Sequence, residues 1–88
     1  MTTTEQTEAI RTQVRAYLTE ELATPVADDL NIFGAGLANS LFTIQLVTYV
    51  ERAFGVQVGT DELDEVHFCS VDAITAFVAA KPSRSAAA

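Results

Sequence analysis

A chain of 88 residues supports one small domain with one modest core, which disfavours an enzyme that encloses its substrate in an internal cavity. Hydrophobic residues make up 49%, yet no run approaches the roughly 20 apolar residues of a membrane span, and a single cysteine cannot close an internal disulfide. The formal net charge of −7 becomes −9 over Met1–Ala80, where twelve acids face three bases; such a surface repels nucleic acid and anionic membranes and favours partners with basic patches.

Met1-Thr2-Thr3-Thr4-Glu5 lacks the basic and apolar regions of a secretory signal, so a cytoplasmic protein is expected. Thr3 and Gln6 have the spacing of a capping box, and Ile10, Val14, Tyr17, Leu18 and Leu22 follow at helical intervals on one face. The pattern predicts a first helix from about Thr4 to about Leu22, with Glu8 and Arg11 as a weak surface pair and Pro25 as a stop signal. Ala23–Asn39 shows no sustained period. So long a loop in so small a domain is expected to be functional or to pack its own side chains, and Leu30, Ile32, Phe33 and Leu37 offer that packing.

A second helix is predicted from about Ser40 to Phe54, ended by Gly55 in the left-handed conformation. At about 100° per residue, Phe42, Thr43, Leu46, Val47, Tyr49, Val50, Ala53 and Phe54 share an inward arc. The opposite arc holds Gln45, Thr48, Glu51 and Arg52 but also two apolar residues, Leu41 and Ile44. Val56-Gln57-Val58 reads as a short extended link that sends two valines inward. A turn from Thr60 then leads to a short third helix near Asp64 to Phe68. Ser70 caps a last helix that carries Val71, Ile74, Phe77 and Val78 inward and ends near Ala80, before Pro82. The sum is an all-α domain over residues 1–80, a small four-helix bundle with one short helix and a long loop between helices 1 and 2, followed by a disordered tail over 81–88.

Several constellations fail as sites. Gly34-x-Gly36-x-x-Asn39 lacks the third glycine and the preceding strand of a dinucleotide fingerprint, so both glycines are expected to let the loop turn and approach helix 2 closely. His67 and Cys69 lie two residues apart and do not complete a zinc site. Asp61, Glu62, Asp64 and Glu65 do not form a calcium loop and read as a solvated face or a docking face for a basic partner. Ser40 has no nucleophile elbow around it. It stands instead at the positive end of a helix, where free N–H groups and the helix dipole favour a phosphate on its oxygen. A long loop leaves one side open, and Leu41 and Ile44 make an apolar break in the polar face beside it. Taken alone, the pair Asn39-Ser40 is a helix cap; in this setting Ser40 is a candidate attachment point.

The stretches Asp29-Leu30-Asn31-Ile32-Phe33, Gly36-Leu37-Ala38-Asn39-Ser40-Leu41, Gln45-Leu46-Val47 and Glu51-Arg52-Ala53-Phe54-Gly55-Val56-Gln57-Val58 together resemble an acyl carrier protein. The similarity spans Ile10 to Val78. It implies a non-enzymatic carrier whose Ser40 receives 4′-phosphopantetheine from coenzyme A through a separate Mg²⁺-dependent phosphopantetheinyl transferase. The arm's thiol would then hold an acyl group as a thioester. The resemblance also implies a docking surface on helix 2 and the short third helix, with Asn39, Leu41, Ile44, Gln45 and Thr48 as contacts for acyl-loading and acyl-modifying enzymes, a polyketide synthase acyltransferase among them. A monomer is expected.

Two departures stand out: Asn39 replaces the usual aspartate before the serine, which bears on the choice of transferase, and helix 2 is less acidic than in fatty-acid carriers, with Glu51 offset by Arg52. Asn39-Ser40-Leu41-Phe42, Gln45-Leu46-Val47 and the Phe54-Gly55-Val56 link look most like free-standing polyketide-pathway carriers of glycerate-derived or alkoxymalonyl (methoxymalonyl-type) extender units. Rival readings are a generic polyketide or fatty-acid carrier, a peptidyl or D-alanyl carrier, and a non-catalytic acidic helical interaction module in which Ser40 only caps a helix.

Overall fold

Ile10, Val14 and Leu18 recur every four residues, and a helix places all three on one stripe: in the computed structural model, which describes residues 2–81, each is buried. The helix is α1, Thr2–Leu22. It begins ahead of the expected Thr4, and the side chains of residues 1–4, with the Thr3 half of the expected capping box, lie outside what is described. Its end is a Schellman turn, in which Thr24 N–H donates to Thr19 O (3.2 Å) and Ala23 N–H to Glu20 O (3.3 Å). Ala23 takes the left-handed position at φ 57°, which glycine fills at lower cost, and Pro25 follows where the helix has stopped.

The loop over 23–39 is ordered by its own chemistry. Ile32 is almost fully buried, with Leu30, Phe33 and Leu37 packed partly against the core as expected. The Ile32 N–H donates to Cys69 O (2.8 Å), and the Asp72 N–H donates to Asp28 O (2.9 Å), tying the loop to the start of the last helix. Within the loop the Asn31 side chain accepts from the Phe33 and Gly34 N–H groups, and the Ile32 carbonyl accepts from Leu37 and Ala38. Gly36 has φ +78°, so the turn needs glycine there, but a Cβ added to it would meet nothing within 4 Å. At Gly34 a Cβ would meet the Asn31 side chain at 3.2 Å. The expected close approach of both glycines to helix 2 is therefore corrected: the loop packs on itself at one and turns at the other.

Helix α2, Ser40–Phe54, ends as expected at Gly55 (φ 66°), whose N–H donates to Glu51 O. Leu46, Val47 and Val50 are buried, while Phe42, Thr43, Tyr49 and Phe54 are half-buried. Ala53, expected on the inward arc, is exposed. Tyr17 and Tyr49 stack between α1 and α2 with centroids 3.9 Å apart, and Tyr49 meets Phe54 edge-on at 6.0 Å. That ring layer sets a spacing that an aromatic side chain bridges and a methyl group does not.

Val56 is buried and Val58 half-buried in the extended link. The expected turn is a single 3₁₀ turn, Thr60–Glu62, and the third helix, α3, spans Glu65–Phe68 with Asp64 as its N-cap. Helix α4, Val71–Ala80, starts at the Ser70 cap, whose Oγ accepts from Ala73 N–H (3.0 Å), and buries Val71, Ile74, Phe77 and Val78. It lies closest to α1, with α3 against it. The domain is thus an all-helical bundle with no strand among the described residues.

Lys81 is not the start of a free tail. Its Nζ bonds both carboxylate oxygens of Glu62 (2.7 and 2.9 Å) and lies 4.9 Å from the Phe77 ring centroid, clamping the 3₁₀ turn to the end of α4. The rest of the expected tail, 82–88, lies outside the described residues. No helix among the described residues is long and apolar enough to cross a membrane.

Candidate functional site around Ser40

Asn39, in extended backbone at φ −145°, is the N-cap of α2: its Oδ1 accepts the Phe42 N–H (3.0 Å), while its carbonyl accepts the Thr43 N–H and the Thr43 hydroxyl. The sequence left the cap to the pair Asn39-Ser40, and only the rival reading made Ser40 a mere cap; Asn39 fills the position. Two adjacent cap-forming residues compete for one position, and the residue that stays extended takes it. Ser40 is instead the first residue with helical backbone. Its side chain is exposed, and its hydroxyl has no hydrogen-bond partner among the described residues. The N–H groups of Ser40 and Leu41 are likewise unpaired among those residues, as the first turn of a helix leaves them.

Ser40 stands at the rim of an open cleft of about 300 Å³. Phe33 from the loop and Thr43 and Ile44 from α2 line it on the Ser40 side; Leu63, Asp64 and Glu65, leading into α3, line the other. Asp64 is fixed there by His67, whose backbone N–H (3.1 Å) and ring Nδ1 (2.7 Å) both meet its Oδ1. These bonds, the backbone one first, hold the Asp64 carboxyl below the usual carboxylate range. A larger cleft of about 510 Å³ lies between α3 and α4; its wall shares no residue with the first, and the Glu62–Lys81 pair stands at its edge. Ser40 does not line it, so the smaller cleft is the one that matters for this site.

Leu41 and Ile44 are 67% and 64% exposed, large fractions for apolar side chains, and Gln45 and Thr48 continue the same outward face of α2. The Thr48 hydroxyl is turned back onto Ile44 O (3.0 Å). Two more exposed apolar residues were not singled out from the sequence: Leu63, 46% exposed, lines the cleft beside Ser40, and Val66, 76% exposed, lines the larger one. Their signal was present as two apolar residues three apart in an acidic stretch, Leu63 just before and Val66 within the one-turn helix whose single buried residue is Phe68. The apolar surface therefore occurs on α2 and again on the segment around α3. Cys69 is half-buried and its thiol faces the Val66 carbonyl (3.9 Å); His67 is engaged by Asp64, so the two do not act as a pair.

No family model, curated protein or solved structure matches the chain.

Proposed function

We propose that the chain is a carrier protein: Ser40 Oγ is the attachment point for 4′-phosphopantetheine, and the domain presents an acyl group bound to that arm to partner enzymes. One observation carries the reading. The cap of α2 is supplied by Asn39, which leaves the Ser40 hydroxyl exposed and without a hydrogen bond among the described residues at the start of a 15-residue helix. The residues present fit a phosphate ester there, because the unpaired Ser40 and Leu41 N–H groups and the helix dipole favour negative charge on that oxygen. On attachment by a Mg²⁺-dependent transferase, Ser40 Oγ forms one bond to phosphorus and gives up its proton, while the bond that breaks lies within coenzyme A. The arm supplies a thiol that carries the acyl group as a thioester.

Every other part of the task falls to the protein surface. Leu41, Ile44, Gln45 and Thr48, with Asn39 at the helix start, offer an exposed face beside Ser40 on which a transferase, an acyl-loading enzyme or an acyltransferase can seat. Once docked, tethering raises the effective concentration of the acyl group at the partner's active site with no catalytic residue in the carrier. The resemblance in Asn39-Ser40-Leu41-Phe42 and Gln45-Leu46-Val47 supports a narrower version: a cytoplasmic polyketide-pathway carrier of a glycerate-derived or alkoxymalonyl extender unit.

Coexpression with a broad-specificity phosphopantetheinyl transferase, followed by intact mass measurement, tests the proposal. A pantetheine adduct is expected, lost in Ser40→Ala. Absence of the adduct, or its survival in that variant, leaves the second reading, a non-catalytic acidic interaction module. The exposed Leu41, Ile44, Leu63 and Val66 are the observation that favours it.

A further inference from the structure

The cleft beside Ser40 has two kinds of wall. Phe33, Ile44 and Leu63 supply apolar contact, while Asp64 and Glu65 supply carboxylates on the far side. The cleft is open to solvent, so contact at these walls, not enclosure, decides what rests in it. Asp64 Oδ1 is already used twice by His67, and the Val66 N–H also acts weakly on this carboxyl, yet its exposed oxygens keep lone pairs to accept with; the Glu65 carboxylate is exposed and has no partner among the described residues. Ionised carboxylates accept hydrogen bonds and cannot donate them. An alcohol placed here gains an acceptor, whereas a third carboxylate meets two like charges and no donor.

We infer that this cleft is a resting site for a neutral, hydroxyl-bearing acyl group tethered to Ser40, and that it turns away an acyl group ending in a carboxylate. The inference rests on the carrier reading above and adds the class of cargo that the domain shelters. A malonyl-type unit stays in solvent, open to any approaching enzyme, while a hydroxyacyl unit folds back against Ile44 and Leu63. Either like charge alone, at about 6 Å in a water-like dielectric, shifts such an equilibrium about threefold, the least difference expected, and added salt weakens the preference.

The test uses the full chain loaded at Ser40 by a broad-specificity transferase from two matched coenzyme A thioesters, hydroxypropionyl and malonyl. Amide NMR shifts of each are read against the holo protein with a free thiol. Shift changes at Thr43, Ile44, Leu63 and Glu65 are expected for the hydroxypropionyl form, and changes at least about threefold smaller for the malonyl form at low salt. Combining Asp64→Asn, which keeps a capping side chain, with Glu65→Gln should bring the malonyl form into the cleft. Glu65→Gln alone, at a carboxylate with no hydrogen bond or ion pair among the described residues, should do so in part. Equal shifts for both cargoes, or a difference that persists in these variants, overturns the inference while the carrier reading stands. Failure to load Ser40 at all overturns the carrier reading and this inference with it.

Discussion

The division of labour between Asn39 and Ser40 makes opposite demands on two neighbouring substitutions. Asn39→Ala removes the acceptor for the Phe42 N–H and should cost about 1 kcal/mol in chemical denaturation, whereas Asn39→Asp should retain the cap. Ser40→Ala deletes a hydroxyl with no partner among the described residues and should change stability by no more than about 0.5 kcal/mol. Were Ser40→Ala the costlier of the two, the cap would have been misplaced. Which residue caps was not legible in the sequence, because Asn and Ser rank together as caps and only the backbone at Asn39 separates them. Another residue-scale feature was hidden for a similar reason. Thr75 reads as an ordinary helical position, yet its side chain is buried and its hydroxyl makes no hydrogen bond among the described residues. Thr75→Val replaces that hydroxyl with a methyl group of the same shape and should stabilise the domain by about 1 kcal/mol in denaturant melts. A loss of stability would show that the hydroxyl is satisfied.

At the scale of elements, the helices were legible wherever an apolar stripe ran for more than two turns, as at Ile10, Val14 and Leu18, or where a cap and a stop residue bracketed the run, as at Ser70 and Gly55. The loop over 23–39 was legible through its apolar residues but not through its tethers. The Asp28 and Cys69 carbonyls that fix it accept from distant N–H groups, and backbone acceptors leave no mark in composition. The exposed face of α2 was legible as a violation, Leu41 and Ile44 on a polar arc, and it carries its own test. Leu41→Asp and Ile44→Asp remove side chains that are already in solvent, so the melting temperature should move by less than about 4 °C. The rate of pantetheinylation, or of acyl loading by a partner, should fall about tenfold or more if these residues anchor the docked enzyme. A large drop in melting temperature would place them in the core, and unchanged rates would remove them from the docking surface.

Across the whole molecule, scarce positive charge is spent on holding elements together. Arg11 bonds Glu8 and Asp72, Arg15 forks onto Asp28 (2.7 and 2.9 Å), and Lys81 grips Glu62, so α1 is tied to the loop and to α4, and α4 to the 3₁₀ turn. Acids such as Glu20, Glu21, Asp29, Asp61 and Glu65 are left outward, so the excess negative charge is spread over α1, the loop and the segment around α3. The tethers fix how stability depends on pH. The Arg15 hydrogen bond is the main cause holding the Asp28 carboxyl below its ordinary range; Lys81 does the same for Glu62, and the His67 N–H for Asp64. A carboxyl whose folded-state pKa is depressed contributes stability that is present above its unfolded value and lost as pH falls through the lowered one. Burial acts in the opposite sense on Tyr17 and Tyr49, raising their phenols above the ordinary value of 10.0. Their contribution is present below that value and lost as pH rises through the raised one. Thermal melts should therefore show a plateau at neutral pH, an acid decline below about pH 4 and an alkaline decline above about pH 10. Asp28→Asn should melt lower than the parent at neutral pH and lose less on acidification, because its Arg15 tether no longer depends on a titrating carboxylate; Tyr17→Phe should soften the alkaline decline alone. If Asp28→Asn declined as steeply in acid as the parent, the Arg15–Asp28 pair would not be among the contacts that hold the loop to α1.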